Sequence, residues 1–197
     1  MRPIDLSEIL DSKAYEAARE RMRAEMMEKK KARRVALGDH MSLLFENRDT
    51  VRYQIQEMIR VEHLSQPPDI RAEVETYNEL VPGDRELSAT LLIEYPDETV
   101  RDAQLKALLG LDSGVIQLKV GRLPPVTPAF DARQIGSDRI SSVHYLKFEL
   151  PEGTRAAFRQ EGLAGNVRFR VDHPAYQAEA VLPPEQVLAL AADLETA

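Results

Sequence analysis

Apolar residues near the start of the chain recur at steps of three and four. Tyr15, Ala18, Met22 and Met26, with Met27 beside them, share one stripe between Lys13 and Lys31, and Asp11 or Ser12 stands before it as an N-cap. The spacing predicts a helix whose Met-bearing stripe is a packing seam, against the body or a second subunit. The runs RRVAL and HMSLLF flank Gly38-Asp39, a β-hairpin pattern. A second helix is predicted from Thr50 to about His63, capped by Asp49. Val51, Ile55, Met58 and Ile59 form its inner face, Glu62 continues that stripe, and Gln54 and Glu57 lie on the flank. Pro67-Pro68 ends the run, and DIRAEVETYNELV predicts another helix before the Pro82-Gly83 turn.

From Leu87 the pattern becomes regular. A strand LSATLLIEY, a helix ETVRDAQLKALLG and a strand VIQLKVG precede an irregular, Pro-containing stretch near residues 121–140. The strand SVHYLKFEL, the helix PEGTRAAFRQ and the strand VRFRVDH follow, then a short strand AEAVL and a helix opening at Pro184. The order from Leu87 to His173 is β-α-β-β-α-β. It predicts an α+β fold with a ferredoxin-like, split βαβ core. One domain over residues 1–197 is expected, with 1–86 a helical and hairpin extension packed on the 87–197 core.

Composition narrows the chemistry more than the fold. The 197 residues are 43% hydrophobic, enough for one core, and include no cysteine. No disulfide, cysteine nucleophile, iron–sulfur ligand or cysteine-bound zinc is therefore available on this chain. No stretch approaches the ~18 apolar residues of a membrane span, so the default expectation is a cytoplasmic protein without a membrane partner. The net charge is −7, which disfavours generic nucleic-acid binding. Residues 19–34 nevertheless hold eight basic and three acidic side chains. Lys29, Lys30, Lys31, Arg33 and Arg34 read either as an anion-binding patch or as the basic end of a helix, which the macrodipole favours; the second reading carries more weight. Dinucleotide, P-loop, nucleophile-elbow, H-E-x-x-H and E-x-x-H motifs are all absent.

Four histidines and the carboxylates remain. Alternation puts His144 with Leu146, Phe148 and Leu150, and His173 with Val167, Phe169 and Val171, on apolar faces. In a ferredoxin-like sheet those two strands lie roughly 10 Å apart, with the histidines offset by a further ~16 Å, too far to share one metal ion. The start of the His144 strand would face Tyr95. If the QIQEM helix covers that end, Gln54, Glu57 or Glu62 completes a polar cluster. One reading is a small-ligand or metal pocket, with Glu57 or Glu62 as carboxylate and His144 as ligand or proton carrier. The commoner outcome for such a residue is a core histidine satisfied by hydrogen bonds. Arg168 and Arg170 suit surface pairing, and His40 and His63 suit exposure.

Several blocks taken together, KKKARRVALGDHMSLLFENRDTVRYQIQEMIRVE, NELVPGD, LSATLLIEYPDE, SSVHYLKFEL and VDHPAY, resemble a bacterial family defined only as a domain of unknown function. The resemblance runs from about Arg2 to Tyr176. It implies a setting near rubrerythrin-like and iron–sulfur oxidoreductase proteins, a role in redox or peroxide defence, and a partner of that kind carrying the clusters. Matching its blocks points to Glu46, Asn47, Arg48, Gln54, Gln56, Glu57, Arg60, Glu62, His144, Asp172 and His173. The expectation is an accessory or ligand-binding protein that takes a small ligand, a metal ion or a partner subunit through the FENR, QIQEM and VHY blocks. An enzyme with a Glu/His acid–base pair and a homodimerising structural module are the alternatives. No cofactor is evident in the residues; a metal ion is the one they leave open.

Overall fold

The computed structural model describes residues 1–195. Asp11 caps α1 (Ser12–Lys31) by accepting from the Ala14 amide at 2.9 Å, and three lysines end the helix where its dipole favours cations. Tyr15 and Met26 on its stripe are buried, and α1 packs on α2 (Arg48–Val61) of the same chain. Tyr15 and Met26 of the predicted seam thus pack against the body of the same chain, while Met27 beside them is exposed. The cap of α2 is Asn47, two residues before the expected Asp49. Asn47 Oδ1 accepts from the Asp49 and Thr50 amides, and Thr50 Oγ1 accepts from the Asn47 amide, a reciprocal box. Because the helix ends at Val61, Glu62 lies exposed beyond it and does not continue the inner face. Pro67 then opens α3 (Pro67–Asn78).

The hairpin strands β1 (Arg34–Leu37) and β2 (Met41–Glu46) turn at Gly38, whose φ of +69° suits glycine. A Cβ there would stand 2.6 Å from the Tyr176 hydroxyl. That hydroxyl donates to the Leu37 carbonyl and accepts from the His40 amide, so the turn is clamped from a distant strand.

The remaining elements are β3 (Glu86–Ile93), α4 (Glu98–Ala107), β4 (Ile116–Val120), β5 (Ala129–Phe130), β6 (Val143–Glu149), α5 (Glu152–Leu163), β7 (Val167–His173), β8 (Tyr176–Val181) and α6 (Pro184–Glu195). The fold is α+β, and the predicted order of elements from β3 to β7 is present, with β5 a short addition in the Pro-containing stretch. Their sheet is not the single 4-1-3-2 sheet of a ferredoxin-like core. The strands form a five-stranded antiparallel sheet, β1-β2-β3-β6-β5, and a three-stranded one, β4-β7-β8. A ferredoxin-like sheet would need β7 beside β3. That edge of β3 is taken by β2 over six residue pairs, Met41–Ile93 to Glu46–Ser88. β7 pairs instead with β4 and β8. The hairpin is accordingly part of the main sheet.

The inner faces of the two sheets share one core. Phe45 (β2) and Phe148 (β6) meet Phe169 (β7) with ring centroids 5.0 and 5.4 Å away, contacts worth about 0.5–1.5 kcal/mol each beyond area burial. Leu105 of α4, Phe158 of α5 and Val187 and Leu190 of α6 close this core. α5 and α6 approach so tightly that a Cβ on Gly162 would lie 2.5 Å from Val187. The outer face of the larger sheet carries a second cluster, with Val51, Ile55 and Ile59 of α2 against Val74 of α3 and Ile4. Two amide side chains strap the N-terminal segment over it. Asn78 bonds both the N–H and C=O of Ile4, and Gln56 both those of Leu10.

Arg33, at the α1–β1 junction, joins these parts. Its guanidinium is buried against the Asp193 carboxylate of α6 and donates to the carbonyls of Phe45 (2.9 Å) and Glu46 and Ala189 (both 3.4 Å). Burial pushes the Asp193 carboxyl up, against the opposing pull of Arg33. Arg33→Met removes the compensating charge and is expected to cost about 3–5 kcal/mol in urea denaturation. The double replacement Arg33→Met with Asp193→Leu should recover most of that loss; a single-variant loss below about 1 kcal/mol would show that the pair does not hold the junction.

Candidate functional site

Strand alternation gives the larger sheet two unlike faces. Phe45, Leu91, Leu146 and Phe148 point into the shared core, while Leu44, Glu46, Thr90, Leu92, Val143 and Tyr145 face the helices. The register aligns Arg34 with Leu44, Leu44 with Thr90 and Thr90 with Tyr145, one row across four strands. Val51 and Gln54 of α2, Tyr77 and Leu80 next to them, and Lys30 of α1 stand over that row. They enclose a groove of about 310 Å³.

Its floor holds a buried carboxylate. Glu46 accepts from Thr90 Oγ1 at 2.7 Å and from Thr50 Oγ1 one turn into α2. Burial pushes the Tyr145 hydroxyl above its ordinary range, reinforced by the negative charge of Glu46. The Tyr77 hydroxyl is also raised, chiefly by burial, although its hydrogen bond with Gln54 opposes this. One groove thus joins Glu46 of the FENR block, Gln54 of the QIQEM block, and Val143 and Tyr145 of the VHY block. Thr90, Tyr77 and Tyr145 are not among the residues that the sequence pattern singles out. Alternation within VHY carries the signal for Tyr145, since it must face away from a core-facing His144.

The other candidates are placed elsewhere. His144 is fully buried on the opposite face, one Nε2–H donating to the Ser141 carbonyl at 2.8 Å and the ring edge-on to Phe130 at 5.7 Å. Its Nδ1 has no partner, which assigns the neutral ring with the proton on Nε2. His173 donates from Nε2 to the Leu109 carbonyl and accepts at Nδ1 from the Ala175 amide, both at 3.1 Å. The two histidines stand on different sheets, both bound to backbone. Tyr95 is not beside His144: the register sets His144 opposite Leu91, and Tyr95 stacks on His40 at 4.1 Å. Nor does α2 cover His144, since it lies on the sheet's other face. Asp172 pairs with Arg170, and Arg168 with Glu179, at the surface.

A second hollow, about 450 Å³, lies between the start of α1 and the end of α2, lined by Tyr15, Gln56, Ile59, Arg60 and His63 among others; Glu57 does not line it. Glu57 accepts from Tyr15 Oη and from Arg19 at 2.8 and 2.9 Å, and the Arg19 guanidinium holds its carboxyl below the usual range. It is a structural anion, held ionised at neutral pH. Arg60 pairs with Glu16, and Arg48 with Glu8 beside the α2 cap; Asn47, that cap, also reaches Asp193 at 3.4 Å. No group of three His, Asp or Glu side chains that could hold a metal ion occurs among the described residues. The basic run is occupied internally: Lys29 pairs with Asp49, Lys31 with Glu28, Arg33 with Asp193 and Arg34 with Glu94. No described helix is long and apolar enough to cross a membrane.

Two antiparallel sheets with helices packed on them, and a polar groove between the larger sheet and α2 and α3, define an α+β protein. The chain belongs to the family described as "Protein of unknown function (DUF3501)", whose model matches residues 3–194. It is similar to a crystal structure from Burkholderia pseudomallei K96243 titled as a novel protein of unknown function. The two are 35% identical with a TM-score of 0.88, over 98% of this chain and 100% of that one. A comparison with curated proteins gives no match.

The buried His144 makes a pH prediction. Desolvation, the largest influence, holds its pKa below the ordinary value in the folded chain, so the unfolded chain takes up the proton first on acidification. The stability contribution of the neutral ring is complete above about pH 6.5 and is lost as pH falls through and below it. Urea midpoints should therefore decline between pH 7 and pH 5. His144→Gln, which can keep the bond to Ser141, should flatten that decline; an equally steep decline would assign it to other groups.

Proposed function

We propose that this protein is a ligand-binding accessory protein whose site is the groove between the polar face of the larger sheet and α2 and α3. What carries this reading is the convergence there of Glu46, Gln54, Tyr77, Thr90 and Tyr145 around about 310 Å³. Concave sites of this size, with a few polar groups set among apolar ones, suit small organic molecules. In the redox or peroxide-defence setting the family resemblance implies, an iron–sulfur or rubrerythrin-like partner would carry the electron-transferring centre, because this chain supplies no thiolate.

The acid–base enzyme reading has less support. His144 bonds a backbone carbonyl on the far side of the sheet, and Glu57 is neutralised by Arg19. The dimer reading also has less support, since Tyr15 and Met26 of its seam are buried within the same chain.

A fragment screen by ligand-observed NMR tests the proposal. Gln54→Trp is expected to fill the groove, leave the thermal melt within a few degrees, and abolish binding of the fragments that the unaltered chain takes. Fragments that bind both chains equally, or a screen with no binder, would remove the groove as the site.

A further inference from the structure

Resting on the groove reading above, we propose that its ligand class is a small organic ammonium, recognised through its positive charge by Glu46. A glutamate with 8% of its surface exposed is rare unless a cation accompanies it. Here both carboxylate oxygens are held by neutral hydroxyls, Thr50 Oγ1 on one and Thr90 Oγ1 on the other. Among the described residues, no Lys, Arg or His side chain forms an ion pair with it. The two cations lining the same groove are engaged elsewhere. Arg34 donates to Ser42 Oγ at 3.0 Å and reaches Glu94 at 3.6 Å, and Lys30 lies over the Tyr53 ring at 5.6 Å.

The geometry also explains how such a carboxylate would work. Two threonine hydroxyls fix its orientation, and each oxygen keeps a further lone pair for a donor. An ammonium N–H would complete that set with a charge-assisted hydrogen bond and supply the missing countercharge. An anionic ligand would meet the Glu46 charge inside a partly desolvated groove, where repulsion is least screened. The walls suit the remainder of an amine: Tyr77 and Tyr145 offer aromatic faces, which attract cations, and Leu44, Leu80 and Leu92 offer apolar surface.

Benzylamine, benzyl alcohol and benzoate differ little in size and carry positive, zero and negative charge at neutral pH. In titrations of the 15N-labelled chain, benzylammonium is expected to give saturable shifts of the Gln54 side-chain amide and the Thr90 amide. The alcohol and benzoate should bind at least about tenfold more weakly. Glu46→Gln retains an acceptor for one threonine and removes the charge. It should weaken benzylammonium by about tenfold or more while leaving the alcohol unchanged. Equal binding of the three probes, preference for benzoate, or undiminished benzylammonium affinity in a folded Glu46→Gln chain would overturn the ammonium assignment. The ranking of probes is read on the unaltered chain, so it decides the matter even where the variant does not fold. Alcohol or benzoate binding at those two amides would leave the groove reading intact. Silence from all three overturns the ammonium assignment, and the fragment screen then decides the groove reading by itself.

Discussion

The pairing of β2 with β3 is the constraint on which the rest of the architecture depends. Six residue pairs fill the edge of β3 that β7 would occupy in a single ferredoxin-like layer. With that edge closed, β7 must find other neighbours, and it does so in β4 and β8. The second sheet then has one apolar face to bury, and the inner face of the first sheet is available to it. Phe45, Phe148 and Phe169 meet at this junction. A hairpin that looks peripheral along the chain therefore sets the number of sheets and the position of the core. Tyr176, reaching from β8 to the turn at Gly38, and Arg33, reaching to Asp193 of α6, tie the hairpin to elements far along the chain.

The same arrangement leaves the larger sheet covered on both sides, but by unlike materials. Its inner face packs side chains into an apolar core. Its outer face keeps Glu46, Thr90 and Tyr145 beneath helices whose buried residues include the apolar stripe Val51, Ile55 and Ile59 together with the polar Thr50 and Gln56. Helices packed over a polar sheet surface cannot close upon it completely, and the groove is what remains. Within it, Thr50 and Thr90 donate to Glu46. The countercharge missing from Glu46 separates the groove from buried ion pairs elsewhere, such as Arg33 with Asp193.

Much of the remaining polarity is structural. Glu57 is committed to Tyr15 and Arg19, Arg48 to Glu8, His173 to two backbone groups, and most of the basic run to acidic neighbours. The density of polar residues in FENR and QIQEM reflects three demands at once: capping α2, strapping the N-terminal segment, and lining the groove. Only the last turns polar groups toward a cavity, and a linear pattern cannot assign residues among the three. Tyr95 and His144 make the same point for distance. Their separation follows from a β3–β6 register that alternation does not specify.

Local features were legible in the residues because they depend on local physics. Apolar spacing placed the helices and strands, Gly38-Asp39 placed the hairpin, and alternation placed His144 and His173 on core-facing positions. The absence of cysteine fixed which chemistry this chain cannot supply. Strand partnership was beyond reach, because any apolar edge of matching length can pair with β3 and only the assembled chain selects among the competitors. The site followed the same division. FENR, QIQEM and VHY could be recognised as blocks, yet the face of the sheet that α2 covers decided which residue of VHY enters the groove. That choice, Tyr145 and not His144, rests on long-range packing energy, which no window of sequence contains.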